Sequence, residues 1–112
     1  MPDKKSAADL VAAAAIADIF RAAKQLDGVA VKTKLIESPF FSSISGGAVY
    51  LKPENLQNTG SFKLRGAYNK ISQLPAAERQ KGVITASAGN HAQGVALSAQ
   101  KLRVKAVICM PA

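Results

Sequence analysis

Apolar residues recur with helical spacing in three segments of the chain. In each segment they occupy positions i, i+3, i+4, i+7 and i+10, a pattern typical of a helix with one buried face. The three sets are Ile16, Ile19, Phe20, Ala23 and Leu26; Leu64, Ala67, Tyr68, Ile71 and Leu74; and Ala92, Val95, Ala96, Ala99 and Leu102. We therefore predict three helices, each with a buried apolar stripe.

Polar and small residues beside these stripes predict where the helices begin and end. Ser6 and Asp9 are good N-cap residues ahead of the first stripe, and Gly28 follows it as a helix end. The second helix is predicted to begin after Ser61, another good N-cap residue. The third is predicted to run from about His91 to Leu102.

Short apolar runs predict three strands. They are "AVYLK" (Ala48–Lys52), "VITA" (Val83–Ala86) and "VKAVICM" (104–110). The segments 29–47 and 75–82 contain proline and glycine breakers, and they are predicted to be irregular.

The last two strands and the third helix form one βαβ unit. Two strands joined by a helical crossover pair in parallel, and the crossover is right-handed by the usual rule. Ligands of such sheets lie beyond the carboxyl ends of the strands, where the turn "SAGN" falls. One βαβ unit leaves a sheet edge unpaired and a face uncovered. Because the chain stops at "CMPA", directly after the second strand, we expect it to be a fragment of a longer protein.

Composition excludes several classes of protein. Hydrophobic residues make up 48% of the 112 residues and charged residues 20%, which is typical of a globular domain. The formal net charge is +8, but the basic residues are scattered and aromatic residues make up only 5%, so we expect anionic small molecules as partners and no nucleic acid.

Cysteine and histidine are each present only once. One cysteine excludes an internal disulfide, and one cysteine with one histidine does not make a conventional zinc site, so no metal is expected. Cys109 lies in an apolar run and is predicted to be a buried structural thiol. The apolar run 10–17 is too short for a membrane span or a strong signal core, which favours a cytoplasmic protein without a membrane partner.

Lys63 is a candidate nucleophile. It follows Gly60 and Ser61 in the predicted first turn of the second helix, where the helix dipole disfavours an ammonium group. This position lowers the pKa of a lysine, and more so if Phe62 keeps water away. A lysine with a lowered pKa forms a Schiff base with an aldehyde. The alternative is an ordinary surface lysine.

The stretch "SAGNH" (87–91) is a candidate anion site. Backbone amides after Ser87 converge at a helix N-terminus, where Gly89 permits close approach of a phosphate or carboxylate. Asn90 adds an amide side chain. The alternative is plain helix capping by Ser87 and Asn90, with no chemical role for His91. A reactive amine together with an anion site points to a carbonyl cofactor that handles a carboxylated substrate.

The chain resembles the threonine dehydratases, of the fold-type-II family of pyridoxal-phosphate enzymes, in two stretches. They are "VYLKPENLQNTGSFKLRGAYNKI" (49–71) and "SAGNHAQGVALSA" (87–99), and the resemblance covers roughly Thr33 to Pro111. It implies an α/β three-layer sandwich with a parallel sheet, like the β subunit of tryptophan synthase, incomplete in this chain. Residues 1–45 are expected to belong to the large pyridoxal-phosphate domain, and 46–112 to be the first part of the small α/β domain.

The resemblance also implies roles for the candidate residues. Lys63 is expected to hold pyridoxal 5'-phosphate as a Schiff base and then to act as the base, Phe62 to pack against the cofactor ring, and Asn90 to hydrogen-bond the 3' oxygen. The substrate carboxylate is expected at Ser87, Ala88, Gly89, Asn90 and His91. The implied reaction is β-elimination of water from L-threonine, which yields 2-oxobutanoate and ammonia. A homo-oligomer is expected for the complete enzyme.

Alternatives stay open at this point. They are a serine dehydratase or another β-eliminating or β-replacing enzyme of the family, and, in a different class, a non-catalytic basic binding module. Serine racemases resemble the chain but carry a second serine in the loop, where this sequence has Ala88. A two-base racemisation is therefore disfavoured. Arg103 stands where the family commonly has glycine. Biosynthetic (isoleucine) and catabolic (threonine) roles are not distinguished.

The 112 residues alone are predicted to bind pyridoxal phosphate weakly and to be inactive. Family members hold the cofactor phosphate with a glycine-rich loop, and the pyridine nitrogen with a serine or cysteine, both further along the chain, and no such loop occurs in this sequence. An absorbance titration of the 112-residue chain with the cofactor measures this. A stable Schiff-base band at near-stoichiometric cofactor would contradict the prediction.

Overall fold

The computed structural model of the protein describes residues 16–112. The elements in chain order are α1 (Ile16–Gln25), β1 (Ile36–Glu37), α2 (Pro39–Ser45), β2 (Tyr50–Leu51), a 3-10 turn (Glu54–Leu56), α3 (Lys63–Ser72), α4 (Ala76–Lys81), β3 (Val83–Ala86), α5 (Asn90–Leu102) and β4 (Ala106–Cys109). The candidate caps Ser6 and Asp9 lie outside the described residues.

The predicted βαβ unit is confirmed. Strands β3 and β4 pair in parallel, with Val83 opposite Ala106 and Ala86 opposite Cys109, and α5 connects them. The second strand is shorter than the predicted 104–110, because the chain leaves α5 through a turn at Arg103 and Val104 is buried before the strand begins.

The core lies where α3 and α5 cover one face of this sheet. Its buried members are Ala67, Ile71, Val95, Ala99 and Val104. Leu64, at the start of α3, is fully buried as well (0% exposed), and burial of a leucine side chain stabilises a fold by about 1.5–3 kcal/mol. The apolar stripes of α3 and α5 are therefore largely confirmed.

The buried face of α5 differs in one respect from the predicted stripe. Ala96 is exposed, whereas Gly94 and Ser98 are buried. The hydroxyl of Ser98 donates to the carbonyl of Gly94 at 2.6 Å, so it needs no other partner in the core. Small residues face inward because α3 packs very close to this side of α5.

The opposite face of the sheet is open within the described residues. Side chains alternate between the two faces of a strand, so Ile84 (73% exposed) and Val107 point away from the helices. Cys109 shares this face and is exposed, so the prediction of a buried thiol is wrong. The apolar run predicted a strand correctly but did not reveal which face would be covered.

Helix α1 is confirmed, but the prediction of a buried stripe on it is wrong. Ile16 (72% exposed), Ile19 and Phe20 are all exposed, and the helix has no buried residue. Among the described residues its main neighbour is α3, where the Ser72 hydroxyl donates to Gln25 Oε1 at 3.2 Å. The helix ends at Gln25, ahead of the predicted Gly28, because Gly28 lies in the turn that follows.

Two helices form in segments that were predicted to be irregular. In α2 the Ser38 hydroxyl accepts the Phe41 N–H, Pro39 stands in the first turn, and Gly46 (φ 73°) ends the helix. These are ordinary helix boundary signals. The other such helix is α4.

A short strand also forms in the first of these segments. Strands β1 and β2 pair antiparallel, with Ile36 opposite Leu51. The predicted strand Ala48–Lys52 is therefore confirmed, but only Tyr50–Leu51 is regular.

An ion pair joins the segment before α3 to its first turn. Arg65 donates from Nε and Nη2 to the two carboxylate oxygens of Glu54, at 2.8 and 2.9 Å, and the Thr33 hydroxyl donates to the same carboxylate at 3.0 Å. The hydrogen bonds from Arg65 lower the pKa of Glu54 to about 2 from the ordinary 4.5, although partial burial opposes the shift. The same pair raises the pKa of Arg65.

We predict that Arg103→Gly stabilises the protein. Arg103 has φ 54° and ψ 42°, and it is the single non-glycine residue with positive φ in the range 16–112. Only glycine adopts this region without a steric cost, so the gain in unfolding free energy should be about 1 kcal/mol. Urea denaturation measures it, with Arg103→Ala as the control that removes the side chain but keeps the strain. Equal stabilisation by both variants would contradict the explanation.

The Glu54 carboxylate is predicted to make stability depend on pH. Because its pKa is lowered in the folded state, it stabilises the fold above pH 4.5, and this contribution is lost as pH falls from 4.5 towards about 2. Urea denaturation of wild type and Glu54→Gln should differ by about 1–2 kcal/mol at pH 7. The difference should shrink between pH 4.5 and 2. A difference that is constant over this range argues against the assignment.

Candidate functional site

Lys63 lies in the first turn of α3, as predicted, and it is exposed; the helix begins at Lys63 itself, with Phe62 and not Ser61 at the N-cap position. Its ammonium lies 5.1 Å from the centre of the Phe62 ring. Phe62 does not shield the amine from water within the described residues, because Phe62 is itself 58% exposed. Ser61 lies one position before the N-cap, and its hydroxyl accepts the Lys63 N–H at 3.4 Å.

The loop "SAGNH" leaves the carboxyl end of β3 and enters α5. The Ser87 N–H donates to the carbonyl of Cys109 at 2.9 Å, which extends the pairing of the two strands. The Ser87 hydroxyl accepts the N–H groups of Gly89 and Ala92, both at 3.3 Å. Ser87 therefore caps the helix, which is the structural role considered for it.

Three backbone donors remain at this helix end. Within residues 16–112 the N–H groups of Ala88, Asn90 and His91 donate to no acceptor, and all three residues are exposed. The first N–H groups of a helix have no partner inside the helix, and they carry its positive dipole end. This arrangement suits a carboxylate or phosphate group.

Gly94 brings the lysine and the loop together. A Cβ atom on Gly94 would lie 3.0 Å from the carbonyl carbon and oxygen of Lys63 and 3.1 Å from the Leu64 nitrogen. Any larger residue would therefore push the first turn of α3 away from α5. Gly94 follows Asn90 by four residues, about 6 Å of helix, so the backbone of Lys63 lies about one helical turn from the exposed amides.

Both helices run opposite to the strands. Leu74 and Leu102, at the ends of the two helices, pack on the core together with Val83 and Ala106, which begin the strands. The N-termini of α3 and α5 therefore lie towards the carboxyl ends of β3 and β4. The structure thus brings Lys63 and the "SAGNH" loop to the edge where parallel sheets bind ligands.

A cavity of about 350 Å³ lies beside this edge but is not centred on the candidate residues. Its wall is mainly apolar and comes from α3, β3 and α5, and His91 is the one candidate residue on it. Lys63 and the residues 87–90 are not part of the wall. The predicted site is therefore an open surface in the described part of the chain.

Sequence reasoning did not identify Gly94, Glu54 and Arg65. A glycine inside a helix is unfavourable by about 1 kcal/mol relative to alanine, and it often marks a close approach, so Gly94 carried a usable signal. The sequence carries no signal for the pairing of Glu54 with Arg65, because this pairing depends on how the loop before α3 folds back.

Other kinds of site are absent from the part of the chain that the structure describes. No group of three histidine, cysteine or acidic residues is arranged to hold a metal ion within residues 16–112. Nor does any described helix combine the length and apolarity required to cross a bilayer.

Comparison with known proteins supports the resemblance described above for residues 49–71 and 87–99. L-threonine ammonia-lyase of Thermotoga maritima is 56% identical over 94 residues, which are 84% of this chain and 23% of that protein. The solved structure of threonine deaminase isoform 2 from Solanum lycopersicum is 43% identical, covers 99% of this chain and 30% of its own, and superposes with a TM-score of 0.77. The structure of maize serine racemase is 36% identical, covers 88% of this chain and 31% of its own, and superposes with a TM-score of 0.79.

The chain therefore spans less than a third of the length of these relatives. The likeness confirms the predicted fold class, the α/β architecture of fold-type-II pyridoxal-phosphate enzymes, of which the described residues form a part. A family model described as "Pyridoxal-phosphate dependent enzyme" matches residues 26–112. The cofactor of this family, pyridoxal phosphate, is the one that the resemblance implied. The chain belongs to the family of pyridoxal-phosphate dependent enzymes.

Proposed function

We propose that this chain is the N-terminal part of a threonine dehydratase, which converts L-threonine to 2-oxobutanoate and ammonia. The contact between Gly94 and the backbone of Lys63 carries the proposal, because it holds the residue that bears a primary amine close to α5, whose N-terminus has amide donors without an acceptor in the described residues. The similarity to an L-threonine ammonia-lyase supports the choice of substrate.

The residues at this edge of the sheet fit pyridoxal phosphate. Lys63 offers an exposed amine for its aldehyde, and within the described residues that amine takes part in no salt bridge. The exposed face of Phe62 offers an apolar surface for an aromatic ring. Asn90 offers a side-chain amide at the start of α5 for a ring oxygen. These three side chains thus match the aldehyde, the ring and the ring oxygen of the cofactor, and its phosphate and pyridine nitrogen have no partner among them.

Lys63 has two roles in the proposed reaction. Its Nζ is the amine that would hold the cofactor through the aldehyde, and as a free amine it would accept the proton from the substrate Cα. Bound pyridoxal phosphate supplies a conjugated ring that delocalises the charge left at Cα. Because a single amine serves both roles, its direction relative to the substrate determines the rate.

The "SAGNH" loop orients the substrate. The free N–H groups of Ala88, Asn90 and His91 grip the carboxylate, and the capping bonds of Ser87 hold those donors in place. A fixed carboxylate fixes the Cα–H bond towards Lys63, which is the alignment that elimination of the β-hydroxyl requires.

Elimination is favoured over racemisation by the side chain at position 88. Racemisation through two bases requires a proton donor on the face of the substrate opposite Lys63. Ala88 offers only a methyl group there, and a methyl group transfers no proton. The structural likeness to a serine racemase therefore supports the fold and not that reaction.

Lys63→Ala and Lys63→Arg should both lower turnover of L-threonine by the complete enzyme at least about 10³-fold and remove the visible band of the lysine-bound cofactor. Arginine keeps the charge but is no nucleophile, so the pair of variants separates chemistry from electrostatics. The matched control is Lys101→Ala, in the last turn of α5, which should behave as wild type.

Three results would refute the proposal. The first is full turnover after Lys63→Ala, which removes the site assignment. The second is a higher kcat/KM for L-serine than for L-threonine, which selects the serine dehydratase alternative. The third is no turnover by the unmodified complete protein, which is expected of a non-catalytic binding module.

Three further expectations stay predictions. They are the division of the chain into 1–45 and 46–112, the homo-oligomer, and the cytoplasmic location. A biosynthetic or a catabolic role is equally compatible with the residues described.

A further inference from the structure

We infer that the Glu54–Arg65 ion pair is a positioning device that aims Lys63 at the start of α5. The inference deepens the proposed function and rests on the role proposed there for Lys63. Neither residue belongs to the candidate site: Arg65 lies two positions after Lys63 in the first turn of α3, and Glu54 lies in the 3-10 turn before the helix.

The pair has the geometry of a rigid link. Arg65 uses two nitrogens on two carboxylate oxygens, at 2.8 and 2.9 Å, and the two side chains are 34% and 16% exposed. A bidentate arginine–carboxylate pair fixes direction as well as distance, because both groups are planar. The other described ion pairs, Arg21–Asp18 and Lys32–Asp27, have a single contact each and are more exposed.

Glu54 is itself anchored to the preceding chain. The Thr33 hydroxyl donates to its carboxylate, and Thr33 is buried. Beside it, buried Gln57 exchanges two hydrogen bonds with the backbone of Val31, at 2.8 and 3.0 Å. Arg65 thus binds a carboxylate that is held by a network and does not move freely.

The link acts on Lys63 through the geometry of the helix. Residues two apart on an α-helix point to nearly opposite sides, so Arg65 is held behind the turn while Lys63 points forward. Between them Leu64 is fully buried, and Gly94 touches the Lys63 backbone. Three contacts thereby restrain the turn: the pair of Arg65 with Glu54, the burial of Leu64 and the approach of Gly94.

No other contact performs this function for the lysine side chain. Within residues 16–112 its ammonium has only the Phe62 ring as a close partner, and a cation–π contact at an exposed site is weak. The direction of the side chain therefore depends on the backbone of the first turn. Release of Arg65 leaves the contacts of Leu64, Ala67 and Ile71 in place but removes one of the three restraints on that turn.

The test uses two variants of the complete enzyme that keep the volume of the side chains, Glu54→Gln and Arg65→Lys. Both lose the bidentate charged pair. We expect kcat to fall about 10- to 100-fold, because a misplacement of about 1 Å has effects of this size, while KM changes less than about 3-fold. The rate at which the cofactor-free enzyme develops the visible band on addition of pyridoxal phosphate should fall about 10-fold, because the amine is misdirected.

The matched control is Asp18→Asn, which breaks an ion pair of the same 2.8 Å length in α1. It should leave kcat, KM and the rate of cofactor uptake unchanged. Glu54→Asp keeps the charge but shortens the side chain. Its kcat and its rate of cofactor uptake should lie between those of wild type and Glu54→Gln. Circular dichroism and urea denaturation establish that each variant is folded at the assay temperature.

The outcomes separate this inference from the proposed function. If Lys63→Ala abolishes turnover while Glu54→Gln and Arg65→Lys keep wild-type kcat and cofactor uptake, the inference is wrong and the function stands. A parallel loss of stability with unchanged kcat per folded molecule, or failure of every pair variant to fold, identifies a purely structural pair and also overturns it. Full turnover by Lys63→Ala removes the proposed function instead.

Discussion

The contact between Gly94 and the first turn of α3 is the constraint on which the rest of the site depends. A Cβ at position 94 would come within 3.0 Å of the Lys63 carbonyl, so the two helices meet at the separation that only glycine permits. The same close approach explains why Gly94 and Ser98, which the predicted stripe did not include, belong to the buried face of α5. It also sets the lysine within about one helical turn of the exposed amides.

Two kinds of functional group lie near this contact, the amide donors of the loop and the amine of Lys63, and different contacts hold each of them. The amide donors of the loop are supported locally, by the hydroxyl of Ser87 and by the strand pairing that continues through its N–H. The amine of Lys63 is supported from a distance, by the pair of Arg65 with Glu54 and by the chain segment that holds Glu54. In the proposed reaction, binding of the substrate carboxylate and orientation of the base therefore depend on separate contacts.

Local patterns predicted the parts of this molecule that local interactions determine. The βαβ unit, the first-turn position of Lys63 and the inward faces of Leu64, Ala67 and Ile71 follow from periodicity and turn residues, and the structure has them. The prediction of irregular structure is wrong at α2 and α4, because their prolines and glycines stand at the helix ends and do not interrupt the helices. The family was recognisable because its two motifs are contiguous stretches of sequence.

By itself the sequence determined the fold class, the family and the identity of the candidate residues, since each is encoded in neighbouring positions. Only the tertiary structure decided which surfaces are covered and which distant residues meet. The exposure of Cys109 and of the stripe on α1, the contact of Gly94 with Lys63, and the pairing of Glu54 with Arg65 all depend on how separate elements pack. The physical reason is that burial and close approach are properties of two surfaces together, whereas periodicity describes one element alone.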